Sequence, residues 1–146
     1  PLKYDYAYKL KKDFPDDEII INGGITSIKE IKGHLDKTNG VMIGRAAYHT
    51  PYFLAEIEKE IFKNNDVFSR QQVIKKLIPY IKEETKKGTR LNQIMRHTLG
   101  LFHGQTGAGF WKRYLSENMC VRDADIKKID HIMDKIQYKN LEARVG

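Results

Sequence analysis

Cysteine is almost missing from this chain. Cys120 stands alone among 146 residues, which excludes an internal disulfide and any cysteine-rich zinc site and fits a reducing cytosolic compartment. Long apolar runs are missing too: no stretch approaches the roughly 20 residues that a membrane helix needs, and the opening residues do not suggest a signal peptide. The five histidines, His34, His49, His97, His103 and His131, show no paired ligand spacing on one helix, so no metal is expected. No Ser-His-Asp or Cys-His arrangement is legible, and there is no internal repeat or low-complexity tract. The first residue is Pro1 and a charged helical stretch follows almost at once, so the chain is expected to be part of a longer protein.

What is present suffices for a folded chain. With 40% hydrophobic residues it can bury a core, in one ordinary domain or two small ones. The net charge of +7 is unevenly spread. Residues 1–68 hold ten Lys/Arg against eleven Asp/Glu, about −1, and residues 69–146 hold sixteen against eight, about +8. The asymmetry points to two units, the second either meeting a polyanion such as nucleic acid or carrying a lysine-rich solvated face.

The first unit is organised around Ile19-Ile20-Ile21-Asn22-Gly23-Gly24 and its echo, Val41-Met42-Ile43-Gly44-Arg45. Each is a short apolar run ending at glycine, the pattern of a strand buried on both faces of a parallel sheet. Between them Ser27 to Glu30 has capping-box spacing, and Ile28, Ile31 and Leu35 form a helical stripe. A right-handed crossover then brings Asn22-Gly23-Gly24 and Gly44-Arg45 to one edge of the sheet. Bare backbone N–H groups there, with the start of the following helix, suit a phosphate; the alternative is that the glycines only make tight turns. In a (β/α)8 barrel the loops after the last two strands commonly bind phosphate, helped by a short extra helix.

Tyr4, Tyr8, Leu10 and Phe14 suggest an amphipathic helix over residues 1–15, and Thr50-Pro51 a helix entry leading to Phe53, Leu54, Ile57 and Ile61. Asn64-Asn65-Asp66 closes this unit, giving expected domains 1–66 and 67–146. The second is helical throughout. Ser69 to Gln72 is another capping box, Pro79 is expected to kink the first helix and Gly88 to end it. A second helix carries Leu91, Ile94, Met95, Leu99 and Phe102; Thr106 can start a third bearing Ala108, Trp111 and Leu115. A fourth begins near Asp123 with Ile126, Ile129, Met133 and Ile136. Four such helices make a small bundle. On it Arg96, His97, Lys112, Arg113 and Tyr114 suit RNA, cations for phosphate and the ring for stacking. Trp111 is more naturally core, and Arg113 could instead pair with Glu117, as Arg96 and His97 could form internal hydrogen bonds. His34 and His131 are expected at the surface. Cys120 is either a reactive thiol or a buried bystander.

Several of these stretches together resemble a known family. Ile21-Asn22-Gly23-Gly24-Ile25, the run from Val41 to Tyr48, Arg96-His97-Thr98-Leu99-Gly100-Leu101-Phe102-His103-Gly104 and the run from Gly107 to Asn118 are similar to the C-terminal portion of the A-type bacterial tRNA-dihydrouridine synthases. The similarity extends from about Pro1 to about Glu117. It implies the last βα units of an FMN-binding (β/α)8 TIM barrel followed by a helical domain that binds tRNA. It also implies a flavoenzyme reducing specific uridines of the tRNA D-loop with NADPH, the base being flipped out to reach the flavin. Asn22, Gly23, Gly24, Gly44 and Arg45 match the family's FMN-phosphate positions. The resemblance places the catalytic cysteine upstream of Pro1, so no catalytic residue is expected here, and this polypeptide alone is expected to reduce no uridine. Gly109 and Lys112 stand where arginines are expected, and lysine lacks arginine's bidentate fork, which leaves the target uridine open. Two other functions also fit: a non-catalytic RNA-binding module, and another phosphate-binding barrel enzyme whose helical extension docks a protein.

Overall fold

The computed structural model describes residues 2–119 together with Ile129 and Lys135. The chain divides into two compact units, Pro1–Tyr48 with Phe53–Val67, and His49–Tyr52 with Phe68 onward. It therefore crosses between them three times, rather than once near Asp66.

In the first unit the order is α1 (Tyr4–Asp13), β1 (Ile20–Asn22), α2 (Ile28–Leu35), β2 (Gly40–Met42), α3 (Arg45–His49), which ends at the crossing, and α4 (Phe53–Glu60). The strands pair in parallel, Ile20 with Gly40, Ile21 with Val41 and Asn22 with Met42. Ile21 is buried with Ile25, Ile31 and Phe53, and Tyr4, Ala7, Tyr8, Val41 and Ile57 pack against that cluster. Successive side chains of a strand point to opposite faces, and among the described residues the core lies against only one of them. Ile20 and Met42 are accordingly 58% and 48% exposed.

Helix α1 turns Tyr4, Ala7 and Tyr8 to the core, one helical stripe, while Leu10 and Phe14 fall off it and are exposed. The turn from α2 to β2 is held by Thr38, whose buried Oγ1 donates to the carbonyls of His34 and Gly40 at 3.0 and 3.2 Å. His34, expected at the surface, is buried instead: its Nδ1 lies 2.7 Å from the Tyr8 hydroxyl. That partner satisfies the ring nitrogen which water would otherwise have to reach.

The start of α2 is a complete capping box. Ser27 Oγ accepts from Glu30 N at 3.3 Å, and one Glu30 carboxylate oxygen accepts from the backbone N–H groups of Thr26 and Ser27 at 3.0 and 2.9 Å. The Thr26 N–H, then the Ser27 hydroxyl, hold the Glu30 pKa below the usual carboxylate range.

The second unit is helical among the described residues. Helix α5 (Arg70–Lys86) opens on the Ser69–Gln72 box, runs on through Pro79, and ends at Lys87 with Gly88 left-handed at φ +95°. Helix α6 is only Leu91–Met95; a 3-10 turn over Arg96–Thr98 follows, so the expected helix through Leu99 and Phe102 stops early. Its reason lies at Gly100, where a Cβ would overlap the His49 carbonyl oxygen and come within 3.2 Å of Pro51 Cδ. The chain turns there to lie against residues 49–51. Tyr52 secures the same segment, donating its hydroxyl to the Phe68 carbonyl at 3.0 Å, with the Arg70 guanidinium 3.7 Å above its ring.

Helix α7 (Ala108–Asn118) begins after Gly107, left-handed at φ +89°, with no side-chain cap; Thr106 is exposed and does not serve as one. Trp111 is fully buried, its Nε1 donating to the Thr98 carbonyl at 2.9 Å and its ring 5.0 Å from that of Phe102. Ile74, Ile81, Met95 and Leu115 complete the core around it. Of the expected fourth helix, Ile129 is helical and buried in this core. Ile126, Met133, Ile136, Cys120 and His131 lie outside the described residues.

Two measurements check this description. Glu30→Ala lowers stability at neutral pH. Because the folded pKa of Glu30 is depressed, its contribution is present above the unfolded value and is lost as pH falls through the folded one. Urea melts of variant and parent therefore converge in acid, once pH has fallen below the folded pKa of Glu30. Trp111→Phe leaves a void and an unpaired Thr98 carbonyl, and denaturant melts are expected to show a loss of about 2–4 kcal/mol.

Candidate functional site

Parallel, in-register strands deliver their C-terminal ends together. Asn22 ends β1 opposite Met42, so Gly23-Gly24 and Gly44-Arg45 leave the sheet at the same edge. Gly23 and Gly24 have φ of +126° and +58°, both in the left-handed half of backbone space that favours glycine. A Cβ on Gly23 would also come within 3.0 Å of a Leu2 methyl. A side chain at Gly23 would therefore press on Leu2 as well as strain the backbone, so the bend is built for glycine. Asn22, Gly24, Gly44 and Arg45 are exposed, and Gly23 is half-buried.

Two helices start beside this edge, and they differ electrostatically. The dipole of α2 was expected to face an anion, but the Glu30 carboxylate already sits at its start, taking the N–H groups of Thr26 and the N-cap Ser27. A second anion there would meet a like charge. Helix α3, not foreseen as a separate element, starts at Arg45 directly after Gly44 and has no acidic residue in its first turn. The first N–H groups of a helix have no carbonyl one turn back to bind. The start of α3, Arg45 and the Gly23-Gly24 main chain thus lie at the same end of the two paired strands. The Ala46-Ala47 pair was the sequence signal for this helix.

The residues expected to meet RNA all lie in the second unit. Arg96 and His97 are exposed on the 3-10 turn, and Lys112 and Arg113 are exposed on α7, one and two residues past the buried Trp111. The bond from Trp111 Nε1 to the Thr98 carbonyl ties the 3-10 turn to α7 two residues from Arg96. Tyr114 is half-buried, packed on the core with its ring 6.0 Å from Phe110. The first unit also holds a side chain whose part sequence periodicity conceals. Tyr4 follows the helical stripe of α1, yet its hydroxyl reaches the Gly23 carbonyl at 2.5 Å.

Among the described residues no helix is long and apolar enough to cross a membrane. The chain is 44% identical over 142 residues to a tRNA-dihydrouridine(20/20a) synthase of Vibrio cholerae, covering 97% of this chain and 43% of that protein. Proteins of the same name from Synechocystis and from Escherichia coli K12 are 48% identical over 125 residues and 45% identical over 140. Those matches cover 85% and 95% of this chain but 37% and 41% of the relatives. The chain thus spans about two fifths of the length of these curated relatives. The family model for dihydrouridine synthase (Dus) matches residues 1–137, twenty residues beyond the stretch where resemblance was expected to fade. With its strand-end glycines and basic helical unit inside that match, the chain belongs to the dihydrouridine synthase family.

Proposed function

We propose that this chain is the C-terminal part of a cytoplasmic tRNA-dihydrouridine synthase, in which β1 and β2 are the last two strands of a (β/α)8 barrel. Asn22, Gly23, Gly24, Gly44 and Arg45 hold the phosphate of FMN. The observation that carries this is the common edge: two glycine-ended parallel strands, followed by a short helix whose first turn holds no acid. That is the place where barrel enzymes bind phosphate, after the last two strands and at the start of a short extra helix.

When bound, FMN supplies the hydride, drawn from NADPH, that reduces the C5–C6 bond of uridine. The work of this chain is anchorage. Arg45 and the α3 N–H groups fix the phosphate, and a flavin fixed at one end keeps its ring in register with a base brought to it.

The helical unit, residues 67–146, is the tRNA-binding part of the proposal. Its share of the charge is about +8, and Arg96, His97, Lys112 and Arg113 project from it into solvent. These groups meet phosphates of tRNA, with the half-buried Tyr114 against a sugar or base. The relatives are named tRNA-dihydrouridine synthases, which supports tRNA as the partner.

Fluorescence anisotropy of the chain with unmodified tRNA across a salt series tests the RNA face. Log affinity is expected to fall linearly with log salt. Lys112→Ala and Arg113→Ala should each weaken binding about 3- to 10-fold and lower the salt slope by about one. Equal affinity for tRNA and for a plain hairpin, or slopes unchanged in both variants, would remove this face from the proposal.

A further inference from the structure

Behind the strand-end glycines lies a row of side chains that phosphate binding does not itself use. Tyr4 donates its hydroxyl to the Gly23 carbonyl at 2.5 Å. No peptide in the described chain is cis, and in a planar trans peptide the carbonyl and N–H point in opposite directions. Holding the Gly23 carbonyl against α1 therefore turns the N–H of Gly24 away from α1. Glycine resists such a rotation less than any other residue, and here two stand in sequence, both with positive φ. Unrestrained, that peptide would present its N–H or its carbonyl to the strand-end edge with little preference.

Tyr4 is itself held in place. Its ring meets the His34 ring edge-on, with centroids 4.6 Å apart and planes at 62°. His34 is buried, and its Nδ1 lies 2.7 Å from the Tyr8 hydroxyl. The Tyr8 ring is capped by Lys37 Nζ, 4.5 Å from its centroid. On the side of Gly23 a Leu2 methyl stands where a Cβ would be, closing the space into which the bend could relax. Phenylalanine at position 4 would supply the same ring to His34. Only the hydroxyl reaches the glycine peptide.

We propose that Tyr4 is a positioning residue for the anion cradle: it locks the Gly23–Gly24 peptide with its N–H turned to the phosphate and its carbonyl turned away. The inference rests on the phosphate-site proposal above and adds to it the group that orients the cradle. The carbonyl matters as much as the N–H, because a carbonyl oxygen facing a phosphate would repel it.

The test compares FMN with riboflavin, which lacks the phosphate, by flavin fluorescence titration of the full-length enzyme carrying this chain. Tyr4→Phe is expected to weaken FMN about 5-fold, the equivalent of one net hydrogen bond, and to leave riboflavin affinity unchanged. A hydroxyl that merely supports the fold would weaken both flavins in parallel; that result, or unchanged FMN affinity, overturns the inference. Arg45→Ala separates the two levels of the proposal. Loss of preference for FMN over riboflavin in Arg45→Ala but not in Tyr4→Phe overturns the role of Tyr4 alone. An unchanged preference in both variants overturns the phosphate site, and the inference with it.

Discussion

The first unit depends on the parallel pairing of Ile21 with Val41. The strand-end residues, Asn22 to Gly24 and Gly44-Arg45, lie one to four residues beyond it. A slip of one residue would turn Ile21 out of the core and bring Ile20 in, and would also offset the ends of the strands so that the glycines no longer left the sheet together. The buried cluster of Ile21, Ile25, Ile31 and Phe53 resists that slip. Packing energy on one side of the sheet is thereby converted into the alignment of main-chain donors at its end.

The helical unit has a comparable centre in Trp111, which is both its largest buried side chain and a hydrogen-bond donor to the 3-10 turn. An apolar side chain of similar size would fill the space but leave the Thr98 carbonyl without that donor. The indole thus ties the turn bearing Arg96 and His97 to the helix bearing Lys112 and Arg113, four residues that are exposed.

Much of this was legible from residue order. Both capping boxes, the two glycine-ended strands, the burial of Trp111 and the arrest of α5 at Gly88 follow from local rules in which one residue type at one spacing does one job. What escaped depends on contacts distant in sequence. Nothing around Gly100 announces that the His49 carbonyl will occupy the place of its Cβ, so the local pattern alone continues the helix past the point where it ends. His34 is polar and sits in a lysine-rich stretch; only the Tyr8 hydroxyl, 26 residues away, makes its burial tolerable. In the same way Glu30 was visible as a cap, but its consequence for an incoming anion was not, because a cap and a competing ligand are the same carboxylate.

The contact at Gly100 distributes constraint unevenly along the chain. What it meets at residue 49 is a carbonyl, a group that every amino acid carries, so this contact asks nothing of the side chain there. At position 100 it excludes all side chains. Evolutionary drift at the two ends of this single contact is therefore decoupled: one position is held to glycine by shape, while the other is left to whatever else its surroundings require.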